Sequence, residues 1–205
     1  MARPQDEMRA YYDRRAPEFD DWWEGGGVFS GRERPGWNEE LRELQAVVGA
    51  LPAARVLDLG CGTGFVTRQL RGSLRVGLDP SPSMLRLAEP RLEDALLVRG
   101  EGLRLPFRTG VFERVFTSHV YGHVLPEDRV AFLTEARRVG RELVVADAGP
   151  RGGGPREEWQ ERQLQDGSRH RVYKRFFTAS GLLAELGGGR VLHDGSWFVV
   201  VMTSG

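Results

Sequence analysis

Cysteine is almost missing from this chain: Cys61 stands alone among 205 residues. A single thiol excludes an internal disulfide and every zinc site built on paired cysteines. Long apolar runs are also lacking. Nothing approaches the roughly 20 consecutive apolar residues of a membrane span, and the opening MARPQDEMRAYYDRR holds no apolar core of signal-peptide length, so the expected setting is the cytoplasm. Net charge is absent as well, since Lys+Arg and Asp+Glu balance at 29 each. Neither nucleic acid nor an anionic membrane is therefore the default partner, and a small uncharged or mixed-charge molecule fits better. What is present, 40% hydrophobic and 28% charged residues, is ordinary for one soluble domain with a sizeable core.

The pattern along the chain divides it into an N-terminal arm or cap (1–36), a core (37–147) and a last part (148–205). Helical sequence runs to about Ala16; Pro17 can open a second short helix, which the glycines at 25–27 end. Trp37, Leu41, Leu44, Val48 and Leu51 recur at helical spacing until Pro52. From there strands and helices alternate. Strands are expected at 54–60, 73–79, 95–100, 111–118 and 141–147, with helices at 66–72, 82–90 and from Pro126 to Gly140. Such alternation means a parallel sheet covered on both faces. Past it, 149–155 reads as a flexible loop, 156–167 and 178–187 as helices, and 190–201 as two β-rich runs around Asp194-Gly195, a hairpin signal that closes the sheet with an antiparallel pair. The run Arg169, His170, Arg171, Lys174, Arg175 reads mostly as a solvated face.

The stretch VLDLGCGTG, 56–64, places Gly60, Gly62 and Gly64 where a strand passes into a helix, so backbone can turn sharply and approach a ligand. Alone, a glycine-rich turn says little. Asp79 adds to it, because it ends the second strand about 20 positions on, where a carboxylate accepts hydrogen bonds from ribose hydroxyls. A nucleoside cofactor follows, belonging either to a nicotinamide dehydrogenase or to a user of S-adenosylmethionine.

VLDLGCGTG with VGLDPSPSML resembles the first two motifs of class I S-adenosylmethionine-dependent methyltransferases, and VRGEGLRLPF with VFERVFTSHVYGHV resembles the next two. The resemblance covers about 54–147. It implies an α/β, Rossmann-like fold: a seven-stranded, mostly parallel sheet with helices on both faces and an antiparallel C-terminal hairpin. It implies S-adenosylmethionine as cofactor, with Asp58 and the turn Gly60, Cys61 and Gly62 on the methionine part, and Asp79 and Pro80 at the ribose. Met84 would lie on the adenine face, Gly100, Glu101 and Gly102 along its edge, and Ser118 after the fourth strand. Arms of this family fold over the cofactor, which makes Tyr12 a candidate for its carboxylate. The insertion after the fifth strand makes His170 and Tyr173 candidates for substrate contact.

His119 and His123 sit at i and i+4 after the fourth strand, at the sheet edge where ligands of open α/β folds bind. Gly122 lies within the stretch and no thiol or acidic ligand accompanies them, so no metal site is expected. Each could serve as general base for a protonated acceptor, His119 foremost, or line the pocket and hold a turn. The expected function is methyl transfer to a small-molecule acceptor, without nucleic acid or membrane. The alternatives are a non-catalytic module that only binds S-adenosylmethionine and, further off, the dehydrogenase.

Overall fold

The computed structural model describes residues 4–150, 152, 154 and 156–203. Five parallel strands, β1 (Arg55–Leu59), β2 (Leu74–Asp79), β3 (Leu96–Arg99), β4 (Phe112–Ser118) and β5 (Gly140–Ala148), join the antiparallel β8 (Arg190–Asp194) and β9 (Phe198–Met202). The seven strands lie in the order β3-β2-β1-β4-β5-β9-β8. Chain direction across the sheet therefore reverses between β1 and β4, which leaves a crevice beyond their carboxyl ends. The central strands carry continuous apolar runs because both faces are covered. Trp37, Leu44 and Val48 of α3 (Trp37–Gly49) pack with Trp23 and Phe198 on one face. On the other, Phe132 and Val139 of α5 (Arg129–Val139) and Leu182 of α6 (Ala179–Glu185) pack with Leu57, Leu78 and Val145. The seven-stranded sheet with its antiparallel close at Asp194-Gly195 is the fold expected. No helix among the described residues is long and apolar enough to cross a membrane.

The arm forms α1 (Pro4–Arg15) and the short α2 (Asp21–Glu24), the latter ended by Gly25 at φ 79°. It is tied to the core by Asp13, whose carboxylate accepts from Ser81 Oγ at 2.6 Å and from the Ser83 amide at 3.1 Å, at the start of α4 (Pro82–Ala88). Thr178 caps α6, accepting from the Gly181 amide.

Three expectations are corrected. The helix at 66–72 is a single 3₁₀ turn, Thr67–Gln69. The glycine turn, with Gly60, Gly62 and Gly64 all at positive φ, takes up 60–64, and β2 begins at Leu74, so too little chain remains for a full helix. The helix at 156–167 is instead β6 (Glu157–Gln163), paired antiparallel with β7 (Arg169–Arg175) through a turn that carries Gly167 at φ 83°. Asp166-Gly167 is the same hairpin dipeptide as Asp194-Gly195, and alternate residues of β6 are half-buried and exposed, as in a strand covered on one face. The basic run on β7 is solvated at Arg169 and Arg171, but Lys174 is buried, because β7 packs on α1 through Val172 and Tyr173. Of the loop expected at 149–155, positions 151, 153 and 155 lie outside the described residues, as do 1–3 of the arm.

Candidate functional site

A cavity of about 310 Å³ opens beyond the carboxyl ends of β1, β2 and β4, under α1. Its size is that of a small-ligand site. Tyr12, Gly60, Gly62, Asp79, Pro80, Met84, Glu101, Gly102, Ser118, His119 and His123 all line it. The structure thus brings together residues spread from the arm to the fourth strand. Asp58, Cys61 and Gly100 do not line it.

The turn is built for close approach. Gly60 has φ 82°, and a Cβ there would lie 2.3 Å from Val120 Cγ2. Asp79, 8% exposed, accepts from the Gly62 amide through Oδ2 and from the Ser81 amide through Oδ1, both at 2.9 Å. Those two bonds fix the carboxylate, and burial raises its pKa to about 6. Asp58, 2% exposed, accepts from Thr67 Oγ1 at 2.6 Å through Oδ2, while its buried Oδ1 has no partner among the described residues. Burial raises Asp58 to about 7, against the Thr67 hydrogen bond and with help from Asp79. Ser118 Oγ is a second buried polar atom without a partner among the described residues. Burial also pushes the Cys61 thiol well up, so it stays protonated and fills space beside Gly77.

The two histidines differ in setting. His119 holds a left-handed backbone, φ 56°, with its amide donating to Ala146 O at 2.8 Å. Its ring lies among Trp22, Trp23 and Phe198, at centroid distances of 4.9, 5.2 and 5.6 Å, with Nδ1 3.9 Å from Asp147 Oδ1. His123 Nδ1 is 2.5 Å from the Tyr173 carbonyl, which can only accept, so that nitrogen carries the proton. Nε2 then accepts from the Tyr12 hydroxyl at 2.9 Å, and the Tyr12 oxygen accepts from Arg162 Nη1 at 3.1 Å. Burial, with Lys174 and Arg162 nearby, holds His123 well below its ordinary pKa, hence neutral. His170 and Tyr173 do not line the cavity. His170 lies against the Tyr11 ring, and the Tyr173 hydroxyl is held by Arg129 and Glu157. Glu101 pairs with Arg9 of the arm.

The sequence alone singles out none of Asp147, Arg162 and Asp13, and reads Lys174 only as part of a solvated basic run. Asp147 is fully buried and accepts from Lys174 Nζ and from the Gly122 amide, each at 2.7 Å. Its place near the carboxyl end of β5, on the same edge as the cavity, could have marked it. Arg162 and Lys174 become legible only once Asp166-Gly167 is taken as a hairpin. Among the described residues no cluster of three or more His, Cys, Asp or Glu is arranged to hold a metal ion.

A glycine turn, a carboxylate at the end of β2 and a reversed sheet of this order define a nucleoside-cofactor α/β domain. Residues 57–143 match the family described as methyltransferase domain. A demethylmenaquinone methyltransferase of Renibacterium salmoninarum is 32% identical over 145 residues, 69% of this chain and 59% of that protein. The 18S rRNA (guanine-N(7))-methyltransferase bud23 of Schizosaccharomyces pombe is 35% identical over 86 residues, 40% of this chain and 32% of that protein. The chain thus spans less than two thirds of either relative's length. In fold it is similar to the DhpI–SAH complex, with a TM-score of 0.75, 24% identity, and coverage of 96% of this chain and 94% of that one. Residues 57–143 thus match a methyltransferase domain, and the chain as a whole has the fold of that solved complex.

Proposed function

We propose that the cavity beyond β1 and β4 binds S-adenosylmethionine and that the chain transfers its methyl group to a small molecule. One observation carries the reading: the glycine turn, the fixed Asp79 carboxylate and Ser118, whose buried Oγ has no partner among the described residues, line one small-ligand cavity. A buried polar atom left unsatisfied is costly, and a polar cofactor arriving beside it removes that cost. The residues present therefore fit the cofactor.

Gly60 and Gly62 would admit its methionine part, with Asp58 ionising behind them. Asp79 would take the ribose hydroxyls on the lone pairs that its two backbone bonds leave over. Pro80 and Met84 would wall the base, with Gly102 keeping the floor open, since a Cβ there would lie 2.9 Å from Phe132. When bound, the cofactor supplies an electrophilic methyl on a sulfonium. The chain's part is then to orient the acceptor and exclude water, with α1 as roof and Asp13 as its tether. His119 and His123 remain the candidates for a proton acceptor. His123, neutral and with Nε2 unprotonated, is in the form a base needs, but the cations around it oppose its protonation.

Relatives named for demethylmenaquinone and for a guanine of ribosomal RNA leave the acceptor class open. The roofed cavity and the absence of net charge support a small acceptor over nucleic acid. We also read the arm 1–36, core 37–147 and 148–205 as one domain, working in the cytoplasm. Calorimetric titration with S-adenosylmethionine, S-adenosylhomocysteine and NAD, followed by trapped methyl transfer to a metabolite library, tests the reading. Tight binding of both adenosyl ligands and a methylated product are expected. Binding of NAD alone would make the protein a dehydrogenase, and binding without any transfer would make it a cofactor-sensing module.

A further inference from the structure

Behind the arm-side wall of the cavity lie two arginines, Arg162 and Arg15, with no carboxylate partner among the described residues. Arg162 of β6 is half-buried, and its guanidinium donates to neutral oxygens: the Tyr12 hydroxyl at 3.1 Å through Nη1, and Gln160 Oε1 at 2.8 Å through Nη2 and 3.2 Å through Nε. Arg15, at the end of α1, is 6% exposed, lies over the Phe19 ring at 5.2 Å, and donates to the Tyr11 hydroxyl at 3.2 Å. Both guanidinium groups also lie over Tyr11, at 5.8 and 5.9 Å. Among the described residues neither has an Asp or Glu oxygen within 4.0 Å. The buried Asp147 is already paired with Lys174.

Arginine is seldom buried without a partner, because removing the charge from water costs several kcal/mol. Aromatic faces offset part of that cost, but a guanidinium has five donors and seeks oxyanions in the plane of its fork. Tyr12 and Phe19, the residues these two arginines touch, both line the cavity. An anion that takes the place of His123 Nε2 as acceptor of the Tyr12 hydroxyl would lie one atom away from Arg162 Nη1. The field is felt in the neighbours: after burial, Lys174 and Arg162 are the next causes that keep His123 neutral.

We propose that the methyl acceptor carries an oxyanion, a carboxylate or a phosphate, seated at the Tyr12 hydroxyl, and that Arg162 is the residue that selects it. This rests on the methyltransferase reading of the cavity, and it departs from the uncharged or mixed-charge partner that composition suggests. Arg15 supplies the second uncompensated charge. The acceptor's reacting atom would then be held between this anchor and the glycine turn, by an ion pair across the floor from Asp79.

The test titrates inorganic phosphate and, separately, acetate into protein saturated with S-adenosylhomocysteine, in the wild type, Arg162→Gln, and Arg171→Gln on the exposed face of β7. The expected result is that one anion binds the wild type and Arg171→Gln equally, and at least tenfold more weakly to Arg162→Gln, with S-adenosylhomocysteine affinity unchanged. The better-bound anion assigns the acceptor as a phosphate or a carboxylate. No anion binding to the loaded wild type, or equal binding by Arg162→Gln, would overturn the inference while leaving the methyltransferase reading intact. A loss of S-adenosylhomocysteine affinity in Arg162→Gln would also overturn it, giving the arginine to the cofactor's own carboxylate. Failure of the wild type to bind S-adenosylhomocysteine at all would remove the reading beneath it. Should Arg162→Gln not fold, Tyr12→Phe takes its place, with the anion expected to bind severalfold more weakly and an unchanged affinity counting against the proposal.

Discussion

Replacing Asp58 by Asn should stabilise the cofactor-free protein while impairing its site, and the size of the effect follows from burial. Asp58 has a pKa of about 7 in the fold, raised first by burial. An unfolded Asp titrates near 3.9, so full ionisation costs the fold about 4 kcal/mol. Because the folded value is the higher one, the contribution is fully present below about pH 4, declines as pH rises toward 7, and is constant above that. Asn cannot ionise and keeps an oxygen for the Thr67 hydroxyl, which Asp58 holds at 2.6 Å. Its amide NH₂ takes the place of an oxygen that already lacks a partner among the described residues, a loss of about 1–3 kcal/mol. The variant should therefore be more stable by about 1–3 kcal/mol near neutral pH, with no advantage near pH 4. Urea unfolding of both proteins across that range measures the difference directly, and Asp79, raised to about 6, cancels because both retain it. A difference that does not change with pH would refute the reasoning, since it would mean that Asp58 is ionised in the fold at no cost. Calorimetry should show weaker binding of S-adenosylmethionine by the same variant.

Two further outcomes follow from the same geometry. Asp79→Ala removes the carboxylate aimed at the ribose and strands the Gly62 and Ser81 amides, so S-adenosylhomocysteine binding should weaken by about 2–4 kcal/mol in titration; unchanged affinity would take Asp79 out of the site. Gly60→Ala forces a residue with a Cβ to φ 82° against Val120, and thermal unfolding should show a loss of about 1–3 kcal/mol that Val120→Ala partly restores. A Gly60→Ala protein with unaltered stability would show that the turn does not need glycine there.

How far the sequence could be read depended on the range of the interactions. The strands β1, β2, β4 and β5 and the hairpin at Asp194-Gly195 are local patterns, apolar runs bounded by turn residues, and they appear where expected. The 66–72 helix failed because helical composition does not count the chain that the glycine turn consumes. β6 failed because Trp159, Glu161 and Gln163 alternate too weakly for a strand to stand out from a charged helix. The pairing with β7, and the docking of β7 on Met8 and Tyr11 of α1, decide its form. For the same reason the glycine turn and Asp79 were legible, whereas the Tyr12–His123 and Asp147–Lys174 pairs were not: each joins segments remote in sequence.

By itself, then, the sequence determined where the five parallel strands, the closing hairpin and most of the helices fall, and the glycine turn and carboxylate at the strand ends. All of these follow from backbone preference and periodicity within a few residues. Tertiary structure alone decided what state the side chains are in. Burial raises Asp58 and Asp79, a distant carbonyl sets which nitrogen of His123 carries the proton, and the fold of β6–β7 against the arm gathers Arg162 and Arg15 behind the cavity wall without an acidic partner among the described residues. Desolvation and Coulomb interactions act through space, and their strength is set by which atoms end up within a few ångströms of one another.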